Sequence, residues 1–149
     1  MSGPPVGRRL SVDVGKVRVG VAVSDPHGIL ASPVETVPRD MSGATAVPTD
    51  IARIAAIIAE YEVVEVVVGL PITLSGQESF AAIEARAYAS TLENVIAPIP
   101  VAMMDERLTT AVASRRLAER GVKGKRRKAV VDQAAAVEIL QQWLEQRKA

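Results

Sequence analysis

The sequence predicts an α/β domain: a mixed five-stranded sheet, three antiparallel strands followed by two further strands, flanked by helices. Three observations carry this. Leu10, Val12 and Val14, then Val17, Val19, Val21 and Val23, alternate with small or polar residues at the period of two that marks half-buried strands. Val63 to Leu70 is a nearly unbroken β-branched run, as in a strand covered on both faces. Ile51, Ile54, Ala55 and Ile58 recur at helical spacing, and a second helical stretch closes the chain. Strands alternating with helices imply a sheet with helices packed on it.

Residues 1–8 are expected to form a flexible N-terminal tail, and 9–149 a single domain. The first two strands meet at Gly15-Lys16. A two-residue turn there would set Asp13 opposite Arg18 and Ser11 opposite Gly20. Asp25-Pro26-His27-Gly28 has the residue order of a tight turn. A third strand follows over Ile29 to Val37, and Pro33 restricts it to a sheet edge. After a polar loop, Thr49-Asp50 opens the first helix, and the β-branched strand ends at Gly69-Leu70-Pro71. Ser75-Gly-Gln-Glu78 has capping-box spacing and predicts a helix to about Val95. Pro100 to Met104 is the fifth strand and ends at Asp105-Glu106. Thr109-Thr110 lead into a helix stopping near Gly121, and the last helix covers Ala129 to about Gln146.

The composition limits the chemistry. With no Cys and one His among 149 residues, thiolate nucleophiles, disulfides and His- or Cys-based metal clusters are excluded. Carboxylates, hydroxyls, Lys and Arg remain. The N-terminal residues lack the apolar stretch of a secretory signal, and no apolar run is long enough to span a membrane, so a cytoplasmic location is expected. The formal net charge of +1 conceals a segregation. Between Arg107 and Lys128 nine basic residues face one acid, a local +8, while the remainder carries −7. Arg107, Arg115, Arg116, Lys123, Lys125, Arg126, Arg127 and Lys128 therefore form a candidate polyanion-binding arm. Four aromatic residues are too few for a base-stacking platform, so recognition through backbone and shape is expected.

Three acidic positions stand out. Asp13 lies on the strand face away from Leu10, Val12 and Val14, with bare backbone at Gly15 and Gly20 beside it, leaving room for a metal ion or a phosphate. Asp132 falls on the stripe of Ala136, Ile139 and Trp143, where an uncompensated charge would be expensive. Asp105-Glu106 stands at the C-terminal end of a strand, where ligands collect in α/β sheets. Adjacent strand residues point to opposite faces, so only one of these two is expected to reach the site. A surface pair with an arginine is the plain alternative for Asp13 and for Asp105-Glu106. His27, in a turn, is assigned no role.

Four blocks in order, Leu10-Ser-Val-Asp13-Val-Gly15-Lys-Val-Arg18-Val-Gly20, Val68-Gly-Leu-Pro71, Asp105-Glu-Arg-Leu-Thr-Thr110 and Val131-Asp132-Gln-Ala-Ala-Ala136, closely resemble the YqgF (RuvX) family. These are Holliday-junction-resolvase-like nucleases linked to processing of the small-subunit rRNA precursor in bacteria. The resemblance implies an RNase H-like (RuvC-like) fold and metal-dependent phosphodiester hydrolysis. In it Asp13, Glu106 and Asp132 would be catalytic and would hold one or two Mg²⁺ or Mn²⁺, while Arg18 would contact the scissile phosphate. The implied partners are pre-rRNA or branched DNA, ribosomal particles and a second copy of the chain, with no membrane. Asp13-x-Gly15 followed by Arg18-x-Gly20 also resembles the phosphate-binding hairpin of the sugar-kinase, heat-shock-chaperone and actin superfamily, whose two lobes need more chain than 149 residues supply. A non-catalytic rRNA-binding module is the other rival.

Overall fold

The computed structural model describes residues 6–72, 75–106 and 124–147, with the side chains of 124–132 outside that description. Three strands open the fold: β1 (Arg8–Val14), β2 (Arg18–Ser24) and β3 (Ala31–Pro38). Helix α1 (Thr49–Glu60), β4 (Val63–Leu70), α2 (Phe80–Ile96), β5 (Val101–Asp105) and α3 (Gly124–Arg147) follow. The sheet order is β3-β2-β1-β4-β5, with β1–β2 and β2–β3 antiparallel and β1–β4 and β4–β5 parallel.

The alternation separates two faces. Leu10, Val12, Val19, Val21, Val23, Val66, Val68 and Leu70 pack against the isoleucines of α1 and against Ala82, Ala85, Tyr88, Ala89 and Leu92 of α2. On the other face Ala22, Val67 and Met104 pack against Ala135, Ala136, Ile139, Leu140 and Leu144 of α3. The parallel strand β4 meets helices on both sides, which explains its uninterrupted apolar run. Pro33 does lie on an edge strand, beside an irregularity in the β2–β3 register.

Four expectations need correction. Strand β1 begins at Arg8, one residue inside the expected tail, and the Gly7 N–H already donates to the Pro26 carbonyl at 2.8 Å. The hairpin turns at Lys16-Val17 instead of Gly15-Lys16: Gly15 N–H donates to Arg18 O at 2.9 Å, and Asp13 faces Gly20 instead of Arg18. A two-residue slip keeps every side chain on its own face, so alternation alone does not choose between the two registers. Helix α2 is capped by Ser79, whose hydroxyl accepts from Ala82 N–H at 3.4 Å, and not by Ser75. The carboxylate of Glu78, expected to close that capping box, is held instead by Arg86 in a fork with a 2.6 Å contact. Helix α3 starts at Gly124, so the Lys125–Lys128 block belongs to its first turns. The helix expected between Thr109 and Gly121 lies outside the described residues.

Candidate active site

Asp13 sits near the C-terminal end of β1, a central strand, and is 2 % exposed. It shares the α3 face with Ser11, Gly20, Ala22 and Val67. Charge at such a depth is costly unless compensated, so the surface-pair alternative for Asp13 does not describe it. Arg18 is half-buried, two residues from Gly20 on the same face of β2, and so is a diagonal neighbour of Asp13.

Glu106 follows β5 and is 3 % exposed. Val101 and Met103 pack toward α1 and α2 while Met104 packs toward α3, so alternation turns Asp105 to the first face and returns Glu106 to the second. Of the adjacent pair, Glu106 is therefore the one on the face of Asp13. It reaches inward because β4, the strand between, carries no side chain at Gly69. A Cβ built there would stand 3.0 Å from Glu106 Oε2, 3.3 Å from Glu106 Cδ and 2.5 Å from Ile139 Cδ1. The Glu106 carboxylate thus lies across bare backbone, where any other residue would fill the space. Gly69-Leu-Pro71 serves here as an approach for a carboxylate from the neighbouring strand.

Helix α3 carries Asp132 one turn before Ala136 and Lys128 one turn before Asp132. Three side-chain bonds fix the height and rotation of this helix on the sheet. Ser11 Oγ donates to the Ala136 carbonyl at 2.6 Å, Gln133 Nε2 donates to Thr36 Oγ1 at 2.9 Å, and Gln141 Oε1 accepts from Ala31 N–H at 2.9 Å. Sequence reasoning missed Ser11 and Gln133 as helix-positioning residues; a small hydroxyl two residues before Asp13 on the same strand face was the available signal. The Asp132 side chain and those of Lys125, Arg126, Arg127 and Lys128 lie outside the described residues, as do Arg107, Arg115, Arg116 and Lys123 entirely.

Carboxylate oxygens are hard donors suited to Mg²⁺ or Mn²⁺. Two buried carboxylates on one face, Asp13 and Glu106, fit such an ion. His27 is exposed in its turn, where its backbone N–H donates to Asp25, and it takes no part.

A five-stranded sheet in the order 3-2-1-4-5, with acids at the ends of β1 and β5 and a helix lying over them, defines an RNase H-like domain of the RuvC type. RuvC from Thermus thermophilus, solved with a Holliday junction substrate, superposes with a TM-score of 0.53 at 16 % identity over 95 % of this chain and 96 % of that one. The family model described as RuvX, Holliday junction resolvase, matches residues 7–146, and the chain belongs to that family. Curated relatives named as candidate pre-16S rRNA nucleases include one from Rhodococcus erythropolis, 57 % identical over 97 % of this chain and 81 % of its own length. Another, from Streptomyces avermitilis, is 55 % identical over 95 % of this chain and 88 % of its own length.

Proposed function

We propose that this chain is a cytoplasmic nuclease that hydrolyses phosphodiester bonds in structured RNA, with the 5′ end of pre-16S rRNA as its substrate. Asp13, Glu106 and Asp132 would hold one or two Mg²⁺ or Mn²⁺ ions. The observation that carries this reading is the Glu106 carboxylate lying over Gly69 on the buried face of Asp13. With no Cys and an exposed His27, the chain offers no thiolate or placed imidazole to raise a nucleophile. When bound, the divalent ion supplies a nucleophilic water at neutral pH and offsets charge on the leaving oxygen.

The protein's own groups do the rest. Asp13 and Glu106, held by a central strand and by the end of its second neighbour, fix their oxygens before substrate arrives, which limits reorganisation. Gly69 leaves the space that the Glu106 carboxylate takes. Arg18, a diagonal neighbour of Asp13, would contact the phosphate there. Arg107, Arg115, Arg116, Lys123 and Lys125 to Lys128 would neutralise flanking phosphates, giving salt-sensitive binding with little base preference.

The test is cleavage of a pre-16S rRNA fragment and of a four-way DNA junction, with Mg²⁺, Mn²⁺ or chelator. Asp13→Asn and Glu106→Gln are assayed alongside, with metal affinity measured by calorimetry. Outer-shell partners of metal ligands are worth about 10–100-fold, so loss of either carboxylate should reduce the rate by at least the upper end and weaken metal binding. Parent-like cutting by both variants would overturn the carboxylate assignment. Preference for the junction would move the substrate to branched DNA, as the family's description suggests. Binding without cutting would identify a binding module.

A further inference from the structure

Helix α3 crosses the sheet with different neighbours on its two sides. Ala136 stands over β1, where its carbonyl accepts from Ser11 Oγ. Ile139 packs over Gly69 of β4. Gln133 reaches the other way, to β3, and its Nε2 donates to Thr36 Oγ1 at 2.9 Å. Thr36 pairs with Gly20 and Gly20 with Asp13, so Thr36 and Asp13 share one row across β3, β2 and β1. At about 100° per residue, position 132 falls within about 20° of Ile139, and Gln133 about 120° from it. Position 132 therefore lies toward the β1–β4 side of the helix, where Asp13 and Gly69 are, and its immediate successor is the anchor on the β3 side.

These contacts restrain different motions. Ala135, Ala136, Ile139 and Leu140 bury apolar surface, and that attraction is non-directional, so it holds α3 down more firmly than it fixes rotation. The Ser11 bond ends on a backbone carbonyl at the underside of the helix and sets its height. The Gln133 amide acts at the end of an arm extended to one side, and a directional bond there resists roll. Gln141 ties the other half of α3 in the same manner, accepting from Ala31 N–H at 2.9 Å and donating to the Ile29 carbonyl at 3.1 Å. That tie is more than two turns beyond position 132.

We infer that Thr36 and Gln133 are positioning residues for the metal site: their bond sets the rotation of the first half of α3 and so keeps Asp132 in reach of the ion held with Asp13 and Glu106. This rests on the carboxylate–metal reading above. Side-chain ends lie about 5–6 Å from a helix axis, so a roll of about 10° carries them about 1 Å. Metal–ligand distances hold to about 0.2 Å. A roll that the apolar packing tolerates is thus several times larger than an ion tolerates. Loss of this half-buried bond acts on the ion more than on the fold.

The experiment is calorimetric titration of the full chain with Mn²⁺, with Tm measured on the same samples. Thr36→Val keeps the shape of the side chain and removes the acceptor, and Gln133→Met removes the donor. Each should weaken Mn²⁺ binding by about tenfold, the lower end of what outer-shell partners contribute. The double variant should bind no more weakly than the singles, since all three lack the same bond. Thr36→Ser keeps the hydroxyl and should bind as the parent does. Gln141→Met controls for a merely structural tie: its Tm should fall while its Mn²⁺ affinity stays at the parent value. Parent-like affinity in Thr36→Val and Gln133→Met, or an equal loss in Gln141→Met, would overturn the inference and leave the metal reading intact. A parent chain that binds no Mn²⁺ would overturn the metal reading and this inference with it.

Discussion

Replacing Gly69 by alanine places a methyl group where the structure has none to spare. The new Cβ would stand 2.5 Å from Ile139 Cδ1 and 3.0 Å from Glu106 Oε2. Ordinary contact begins near 3.4 Å, so the isoleucine methyl must retreat by nearly an ångström and the carboxylate by a few tenths. Ile139 is fully buried among Ala135, Ala136, Leu140 and Met104 and has little room to rotate. Overpacking of this kind costs about 1–3 kcal/mol. In a chain of this length each kcal/mol is worth roughly 2–4 °C, so Tm should fall by about 2–12 °C. With Glu106 as the proposed metal ligand, its shift should act on rate separately. Misplacement by 1 Å costs about 100-fold, and a few tenths of that should cost a few-fold to about tenfold below the melting temperature.

A second substitution separates the two contacts. Ile139→Val removes the Cδ1 methyl that meets the new Cβ but leaves Glu106 where it is pushed. The double variant Gly69→Ala/Ile139→Val should therefore show positive coupling in Tm and none in rate, a non-additivity expected only for groups in contact. Melting followed by circular dichroism and initial rates on an RNA substrate give the two readouts. Parent-like Tm and rate in Gly69→Ala would refute the close approach. Recovery of rate together with Tm in the double variant would refute the claim that Glu106 is displaced directly.

Four further outcomes are expected. Tyr88→Phe leaves Asp50 Oδ2 buried without its donor and should cost about 1–3 kcal/mol, read as a lower Tm or urea midpoint. The Tyr88 hydroxyl, whose pKa is raised by burial and by the Asp50 carboxylate, should stay un-ionised in ultraviolet titration throughout the ordinary phenol range. Ser11→Ala removes the bond to the Ala136 carbonyl, should cost about 1 kcal/mol, and should raise hydrogen exchange in the middle of α3 before it does so in α1 or α2. Asp40, held by the Ser42 hydroxyl and the Thr49 and Ser42 N–H groups, has its pKa lowered from 3.8 to about 2. Its stabilising contribution is complete above the unfolded value and is lost as pH falls through the folded one. The Tm difference between parent and Asp40→Asn should thus be constant near neutrality and close between about pH 4 and pH 2.

Much of this arrangement was legible in the residues. Alternation in β1 and β2 fixed which side chains share a face, and the β-branched run located the doubly covered strand. Features that depend on which partner is met were not legible. Registers that differ by two residues bury the same side chains, so the turn was misplaced while the face of Asp13 was right. Ser75 and Ser79 both suit a helix start, and the choice fell to Ser79 because Glu78 binds Arg86. The basic block read as an arm because its charges dominate, yet Lys and Arg are good helix formers and the block opens α3. Asp105 and Glu106 were indistinguishable by spacing. Glu106 was singled out by Gly69, some 37 positions earlier, a contact that no local pattern contains. Asp50 and Tyr88 drew no notice because a first-turn acid and a helical tyrosine are each ordinary alone.

The bond from Ser11 to Ala136 joins residues 125 positions apart. Synthesis delivers Ser11 with β1 and Ala136 only with the middle of α3, after all five strands. A nascent chain can pair β1 with β2 and β3 early, and β4 somewhat later, but one face of that sheet stays wet until the final helix has left the exit tunnel. The folding clock of the domain is therefore set by its slowest, most distant closure. A chain interrupted before α3 carries the β1–β2–β3 meander without the helix that covers Asp13, so the pocket exists only on molecules in which α3 has docked.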